Sequence, residues 1–294
     1  MATLGQTGLQ VSRLGAGLYE IGLLADVVVA GQVLNAALDG GINFLDTAAC
    51  YGHSEEWIGR TIAHRRDEYI LATKAGHITG GYEGEEWTAR TILDSIERSL
   101  KRMKTDHLDL VQLHSCSVDV LERGEAIRAL LEAQQAGKVR YVGYSGDHEA
   151  ALWAVESGQF DTLQTTFNLL AQEARHELIP QARAKGMGII AKRPIANAAW
   201  GGPESTHPTR EWYRQQAQAM LAMGPIPGVP QDPILLALGF ALAHEEIDTA
   251  IVGTGNPEHM QANLRRVKED LPLPSAVVAE LHRRWETLSP AQPG

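Results

Sequence analysis

Phe44-Leu45-Asp46-Thr47-Ala48-Ala49-Cys50-Tyr51-Gly52 completes a short apolar run that begins at Ile42, ends it in an acid, and sets a tyrosine five residues later in a glycine-containing turn. Two further runs close on a charged or polar residue: Tyr69-Ile70-Leu71-Ala72-Thr73 leads into Lys74, and Leu108-Asp109-Leu110-Val111-Gln112-Leu113 into His114. Short runs rich in Ile, Leu and Val read as buried strands. If those strands are parallel, Asp46, Tyr51, Lys74 and His114 gather at the carboxyl end of one sheet or barrel, where α/β folds place their chemistry.

Working outward, the chain alternates strand and helix throughout. Met1 to Val11, with turn-like Gly5 and Gly8, reads as a small hairpin, and Ser12 to Leu18 as the first core strand. Asp26 is an N-cap candidate for a helix through Val29, Val33, Ala37 and Leu38 that stops at Gly40-Gly41. Ser54 with Glu55 and Glu56 opens a helix over 57–64, and Ile92, Ile96, Leu100 and Met103 form one stripe of a long amphipathic helix. Further strand–helix pairs fall at 108–113 and 125–135, 141–144 and 148–156, 160–167 and 173–184. The strand 187–191 leads into a connection with helical stretches 211–222 and 233–244, and the last pair is 249–252 and 257–267. Eight such units in 294 residues predict an α/β fold. The expected form is a (β/α)8 TIM barrel in one domain over 1–294, with an N-terminal β-hairpin and an extra C-terminal helix over 275–288. Two connections exceed the short-loop norm, 76–86 and 195–232; Trp200, Trp212 and Tyr213 mark the second as a lid or pocket wall.

The net charge of −10 argues against nucleic acid and anionic membrane surfaces as main partners. Cys50 and Cys116 make no disulfide framework and read as small buried thiols; with no secretory pattern at Met1-Ala2-Thr3-Leu4-Gly5, a reducing cytoplasm is expected. The longest apolar run, 233–243, is too short to span a bilayer. Gly15-Ala16-Gly17 has Glu20 where a dinucleotide fingerprint needs its third glycine, and Gly143-Tyr144-Ser145-Gly146-Asp147 lacks the final glycine of a nucleophile elbow. No phosphate-cradling lysine loop or metal-ligand spacing is present.

Singly, the four polar residues have bland explanations: a turn-forming Asp, a half-buried Tyr, a surface Lys, a core His. On one barrel face they suit acid–base chemistry. A phenol has a pKa of about 10. A nearby ammonium lowers it, and a carboxylate holds the ammonium in place, so Tyr51, Lys74 and Asp46 form a proton relay. His114 can orient a carbonyl. No Ser or Cys nucleophile belongs to the set, and a proton donor aimed at a carbonyl needs a hydride source, for which nicotinamide is the natural choice. Two other readings fit the same residues: a barrel lyase with Lys74 as Schiff-base nucleophile, and a nucleotide-sensing subunit with negligible turnover.

The chain resembles the aldo-keto reductase family over nearly its whole length. The matching pieces are Gly15-Ala16-Gly17, Asp46-Thr47-Ala48-x-x-Tyr51-Gly52, Ala72-Thr73-Lys74, Leu108 to His114, Tyr141-Val142-Gly143-Tyr144-Ser145, Gln164-x-x-x-Asn168, and Ile251-Val252-Gly253-Thr254 through Asn263. The resemblance implies an (α/β)8 barrel that binds NAD(P)H without a Rossmann fingerprint, and a small carbonyl or alcohol substrate. It implies Tyr51 as proton donor, tuned by Lys74 and Asp46, with His114 orienting the carbonyl. Cofactor contacts are expected from Gly17, Leu18, Asp46, Ser145, Gly146, Gln164, Lys192, Arg193, Pro194, Gly253, Thr254, His259 and Asn263. The substrate pocket is expected from Tyr19, Tyr51, Trp87 and His114, with Tyr82 and Trp200 nearby. The chain departs from the family pattern in three places. Gly146 stands where many members have Asn, and Lys192 where many have an aromatic against the nicotinamide. Gly253 and His259 stand where other members place Lys and Arg on the adenosine 2′-phosphate, a role open here to Arg265 or Arg266. Family habit favours NADP(H), with NAD(H) possible.

Overall fold

The computed structural model describes residues 1–199 and 204–288. A hairpin of β1 (Ala2–Thr3) and β2 (Gln10–Val11) precedes a closed barrel of eight parallel strands. These are β3 (Leu14–Gly17), β4 (Phe44–Asp46), β5 (Ile70–Ala75), β6 (Leu108–His114), β7 (Val139–Ser145), β8 (Thr162–Thr166), β9 (Gly188–Lys192) and β10 (Thr249–Gly253), with β10 closing against β3. The outer helices run in chain order: α1 (Tyr19–Gly22), α2 (Val27–Asp39), α3 (Ser54–Thr61), α4 (Ala89–Met103), α5 (Val118–Arg123), α6 (Glu125–Gln135), α7 (His148–Ser157), α8 (Leu178–Ala184), α9 (Pro208–Ala222), α10 (Pro233–Leu242), α11 (Pro257–Glu269) and α12 (Ser275–Leu288). None of the described helices is long and apolar enough to cross a membrane.

The two-residue period of a strand sorts the barrel into layers. Leu4, Leu9 and Val11 of the hairpin region pack against the inward residues Phe44, Ala72, Leu110, Ile190 and Ile251, which plugs one end with apolar side chains. Two residues further along the same strands stand Asp46, Lys74, Gln112, Lys192 and Gly253. The interior therefore turns from apolar to polar toward the carboxyl ends of the strands. Their neighbours Leu45, Leu71, Val111, Ile189 and Val252 face out and join the main core under the helices.

Several element limits differ from the sequence expectation. The Asp26 cap holds, accepting from the Val28 amide at 2.7 Å. Helix α3 is capped at His53 without a side-chain bond, because the Ser54 hydroxyl is spent on Thr47 at 2.7 Å. Pro180 breaks the helix expected over 173–184: its ring collides with the carbonyl four residues back, so α8 starts at Leu178 and Glu173–Arg175 forms a separate 3-10 turn. The short helices α1 and α5 lie in stretches to which the sequence reading assigns no element. In the long excursion after β9, Arg284 of α12 donates to the carbonyls of Met220 and Gly224 at 3.0 and 2.7 Å, and so pins the end of α9. Trp200 lies outside the described residues.

Candidate active site

Strand register brings the predicted residues together. Lys74 is paired with Gln112 across β5 and β6, His114 with Ser145 across β6 and β7, and Ser145 with Gln164 across β7 and β8. The Lys74 side chain is 1% exposed and its ammonium lies 2.5 Å from Asp46 Oδ2 and 2.9 Å from the Thr47 carbonyl. Asp46 Oδ1 accepts from Gln112 Nε2 at 3.1 Å and from Gln164 Nε2 at 2.8 Å, and Ser145 donates to Gln164 Oε1 at 2.9 Å. Every charge in this buried network is paired and hydrogen-bonded, which such burial requires. Gln112 is its unpredicted member. A lone amide in the inward-facing series Leu110, Gln112, His114, two residues before His114, was the available signal.

Burial alone would lower the Lys74 pKa, but Asp46 and Tyr51 outweigh it and hold the ammonium above its ordinary value. An amine so held has no free lone pair for attack on a carbonyl, which removes the physical basis of the Schiff-base reading.

Tyr51 follows β4 in a turn closed by its amide on the Ala48 carbonyl at 3.0 Å. Lys74 Nζ lies 4.9 Å from the centre of its ring. The sequence expectation was a phenol made more acidic by Lys74. The structure reverses the net sign: burial raises the Tyr51 pKa more than the ammonium lowers it, and Asp46 adds to the rise. Tyr51 thus stays protonated near neutral pH. The turn depends on a glycine of α1, because a Cβ at Gly22 would fall 1.9 Å from the Tyr51 carbonyl oxygen.

His114 is held at about pKa 2, first by burial and then by the nearby charge of Lys74, so the imidazole is neutral. Its ring meets Tyr51 edge-on at 5.7 Å, and its Nδ1 lies 3.4 Å from Cys50 Sγ. Burial also raises the Cys50 pKa, more than Lys74 lowers it, and keeps the thiol protonated. On the other side of the cleft Tyr19 packs edge-on to Tyr51 at 5.2 Å and is half exposed. Trp87 reaches the site through His77, with ring centres 4.8 Å apart, and His77 lies 5.3 Å from His114. His77 was not singled out from sequence, since a lone His in a Gly-rich loop carries no periodic signal, and Cys50 was read only as a small buried thiol. Tyr82 turns away: it donates to Asp94 at 2.6 Å and lies under the Arg98 guanidinium.

The residues expected around a cofactor form a groove from this cleft across the barrel mouth. Gly17 and Gly253 are paired in register at the ends of β3 and β10, and a Cβ at Gly17 would meet nothing nearer than 3.7 Å, so the slot between the strand ends is open. Ser145 and Gln164 present polar groups at the inner end, and Leu18 is buried with its amide on the Asp46 carbonyl. At Gly146 the Tyr144 ring fills the space a side chain would need, 2.6 Å from an added Cβ. Lys192 is tied to Asp147 at 3.0 Å. Burial opposes the Asp147 charge, but Lys192 and donors from Thr165 and Thr166 hold the carboxyl well below its usual range. The Arg193 carbonyl accepts from Asn168, which also bonds the Tyr213 hydroxyl of α9, so the turn Arg193-Pro194 is braced from below. At the far end the Thr254 hydroxyl accepts from the Asn256 amide and Asn256 caps α11 through the Glu258 amide, which sets the positive end of α11 at the groove. Asn263 is buried and His259 is exposed on α11. These residues fit an extended dinucleotide.

The sequence pattern of the Aldo/keto reductase family matches residues 13–286. The chain belongs to that family. Similar relatives include the L-galactose dehydrogenase of Arabidopsis thaliana, 29% identical over 92% of this chain and 88% of that protein. The uncharacterized oxidoreductase YrpG of Bacillus subtilis is 32% identical over 91% of each. Among solved structures, the holo form of an aldo-keto reductase from Bacillus halodurans superposes with a TM-score of 0.79 at 26% identity, covering 96% of this chain and 95% of that one. Aldo/keto reductases use nicotinamide cofactors, and this one is an NAD(P)H-dependent oxidoreductase acting on a small molecule.

Proposed function

We propose that this aldo/keto reductase interconverts the carbonyl and alcohol forms of an aldehyde, ketone or sugar, with Tyr51 as the proton donor and acceptor. The observation that supports this most is the convergence of Tyr51, the buried Lys74–Asp46 pair and neutral His114 at the mouth of the barrel. A carbonyl oxygen in the cleft accepts from His114 and Tyr51, and the Tyr51 proton passes to it as it gains charge. Lys74 then lies beside the phenolate and stabilises it; Asp46 keeps that ammonium in place. A bound reduced nicotinamide supplies the hydride. Ser145 and Gln164 would hold its carboxamide, and the Gly253–Gly255 turn at the positive end of α11 would face phosphate.

The adenosine end supports NAD(H) over the NADP(H) of family habit. The Glu20 carboxylate packs over Gly253 so closely that a Cβ there would fall 2.0 Å from Oε2. Arg266 is bound to Asp232 at 2.6 Å and to Asn263 at 3.1 Å. Arg265, one position before Arg266 on α11, lies about 100° around the helix from it. A 2′-phosphate beside Gly253 would meet the Glu20 carboxylate, with Arg266 already engaged by Asp232 and Asn263. Titration with NADH and NADPH separately, then a carbonyl and sugar-alcohol panel followed by nicotinamide oxidation, tests both claims. Tighter binding of NADPH would reverse the cofactor assignment. Binding without oxidation of any substrate would favour the nucleotide-sensing reading.

A further inference from the structure

The cleft holds two imidazoles of opposite hydrogen-bonding polarity. His77 Nδ1 lies 3.1 Å from Glu86 Oε1, and that oxygen is itself fixed by the Ile78 amide at 3.2 Å. A carboxylate only accepts, so His77 turns an Nδ1–H to Glu86, and in that tautomer Nε2 is an acceptor. His114 is the converse. Its Nδ1 faces the protonated Cys50 thiol at 3.4 Å, which puts the ring's proton on Nε2 as a donor. The ring centres are 5.3 Å apart, with Tyr51 next to His114 and the Trp87 edge behind His77.

The loop that carries His77 is built to hold this arrangement. The Trp87 amide bonds the Gly76 carbonyl at 3.2 Å, and Gly76 takes a φ of +127° where a Cβ would fall 1.8 Å from the indole. Only glycine permits both that backbone and the ring lying over it.

A donor and an acceptor side by side match a carbonyl with a hydroxyl on the adjacent carbon. We propose that His77, oriented by Glu86, is a specificity-determining residue that selects α-hydroxy carbonyl substrates by accepting a hydrogen bond from the hydroxyl next to the reacting carbon. The assignment rests on the proposed function, in which His114 and Tyr51 hold the carbonyl oxygen. His77 is about a third exposed. Water therefore competes for it, and the bond is worth that of an ordinary neutral pair, about 3- to 10-fold in kcat/KM.

The test compares 2-hydroxypropanal with propanal in the wild-type enzyme, His77→Phe, Glu86→Ala and Glu86→Gln. The readout is the ratio of kcat/KM for the two aldehydes within each protein. His77→Phe keeps the ring against Trp87 but has no acceptor, and its ratio falls about 3- to 10-fold from the wild-type value. Glu86→Ala, which frees the ring, lowers it partway; Glu86→Gln keeps an acceptor for Nδ1–H and retains the ratio. An unchanged ratio in both His77→Phe and Glu86→Ala overturns the assignment while leaving the reductase intact. Turnover of neither aldehyde by the wild type, with no nicotinamide bound, overturns the proposed function together with it.

Discussion

Replacing Lys74 with Met removes a buried cation and leaves its partner behind. The Asp46 carboxylate, 1% exposed, then has only the Gln112 and Gln164 amides for company, and the Thr47 carbonyl loses its donor. Breaking one side of a buried ion pair costs about 3–5 kcal/mol. The two surviving amide donors place this case near the lower end, and the orphaned carbonyl adds about 1 kcal/mol. If the penalty is the uncompensated charge, Lys74→Met with Asp46→Asn restores about 2–3 kcal/mol of it, because a neutral amide needs no cation. Urea unfolding of the wild type and the three variants closes the cycle. Turnover gives a different pattern: it is lost in Lys74→Met and in the double variant alike, since neither has an ammonium beside Tyr51. The pH dependence is fixed by sign. The Lys74 pKa is raised above its ordinary 10.5, so the pair's stabilisation is complete below that value and is lost as pH rises through the folded pKa. A Lys74→Met cost below about 1 kcal/mol, or a double variant no more stable than the single, would refute the reasoning.

Other outcomes follow from single contacts. His114 titrates at about 2 in the fold against 6.5 ordinarily, so the unfolded chain binds a proton the native site refuses, and stability falls as pH drops below 6.5. Relative to wild type, His114→Gln should gain about 2 kcal/mol between pH 7 and pH 5 in denaturant titrations; a constant difference would mean the ring charges in place. Gly22→Ala drives a methyl into the Tyr51 carbonyl and should cut kcat about 100-fold without touching a reacting group, with unchanged kcat showing the turn absorbs the clash. Nitrogen-15 spectra should show His114 protonated on Nε2 in the wild type and in Cys50→Ser, with Nδ1–H appearing in Cys50→Ala. Nδ1–H in the wild type would reverse the hydrogen-bond polarity given to the ring.

The barrel was legible because its strands are short apolar runs punctuated by caps and glycines, and period-2 parity alone puts Asp46, Lys74 and His114 on the inward face. What escaped was set by neighbours distant in sequence. Gln112 enters the network only through its register with Lys74. Pro180 broke a helix that apolar spacing had run through, and α1 and α5 are too short to show a period. The direction of the Tyr51 shift turned on burial, which no spacing reports; from sequence the ammonium was visible and the desolvation was not. His77 was passed over and Cys50 read only as a small buried thiol, because their roles come from what faces them, Glu86 and His114, rather than from any motif.

The most direct measurement is Tyr51→Phe in single turnover, with NADH and NADPH binding followed by quenching of protein fluorescence. Loss of the hydroxyl removes the proton donor but neither the groove nor the Lys74–Asp46 pair. Binding should persist while the chemical step falls by about 100-fold or more. A chemical step at the wild-type rate would show that the proton reaches the substrate from another group.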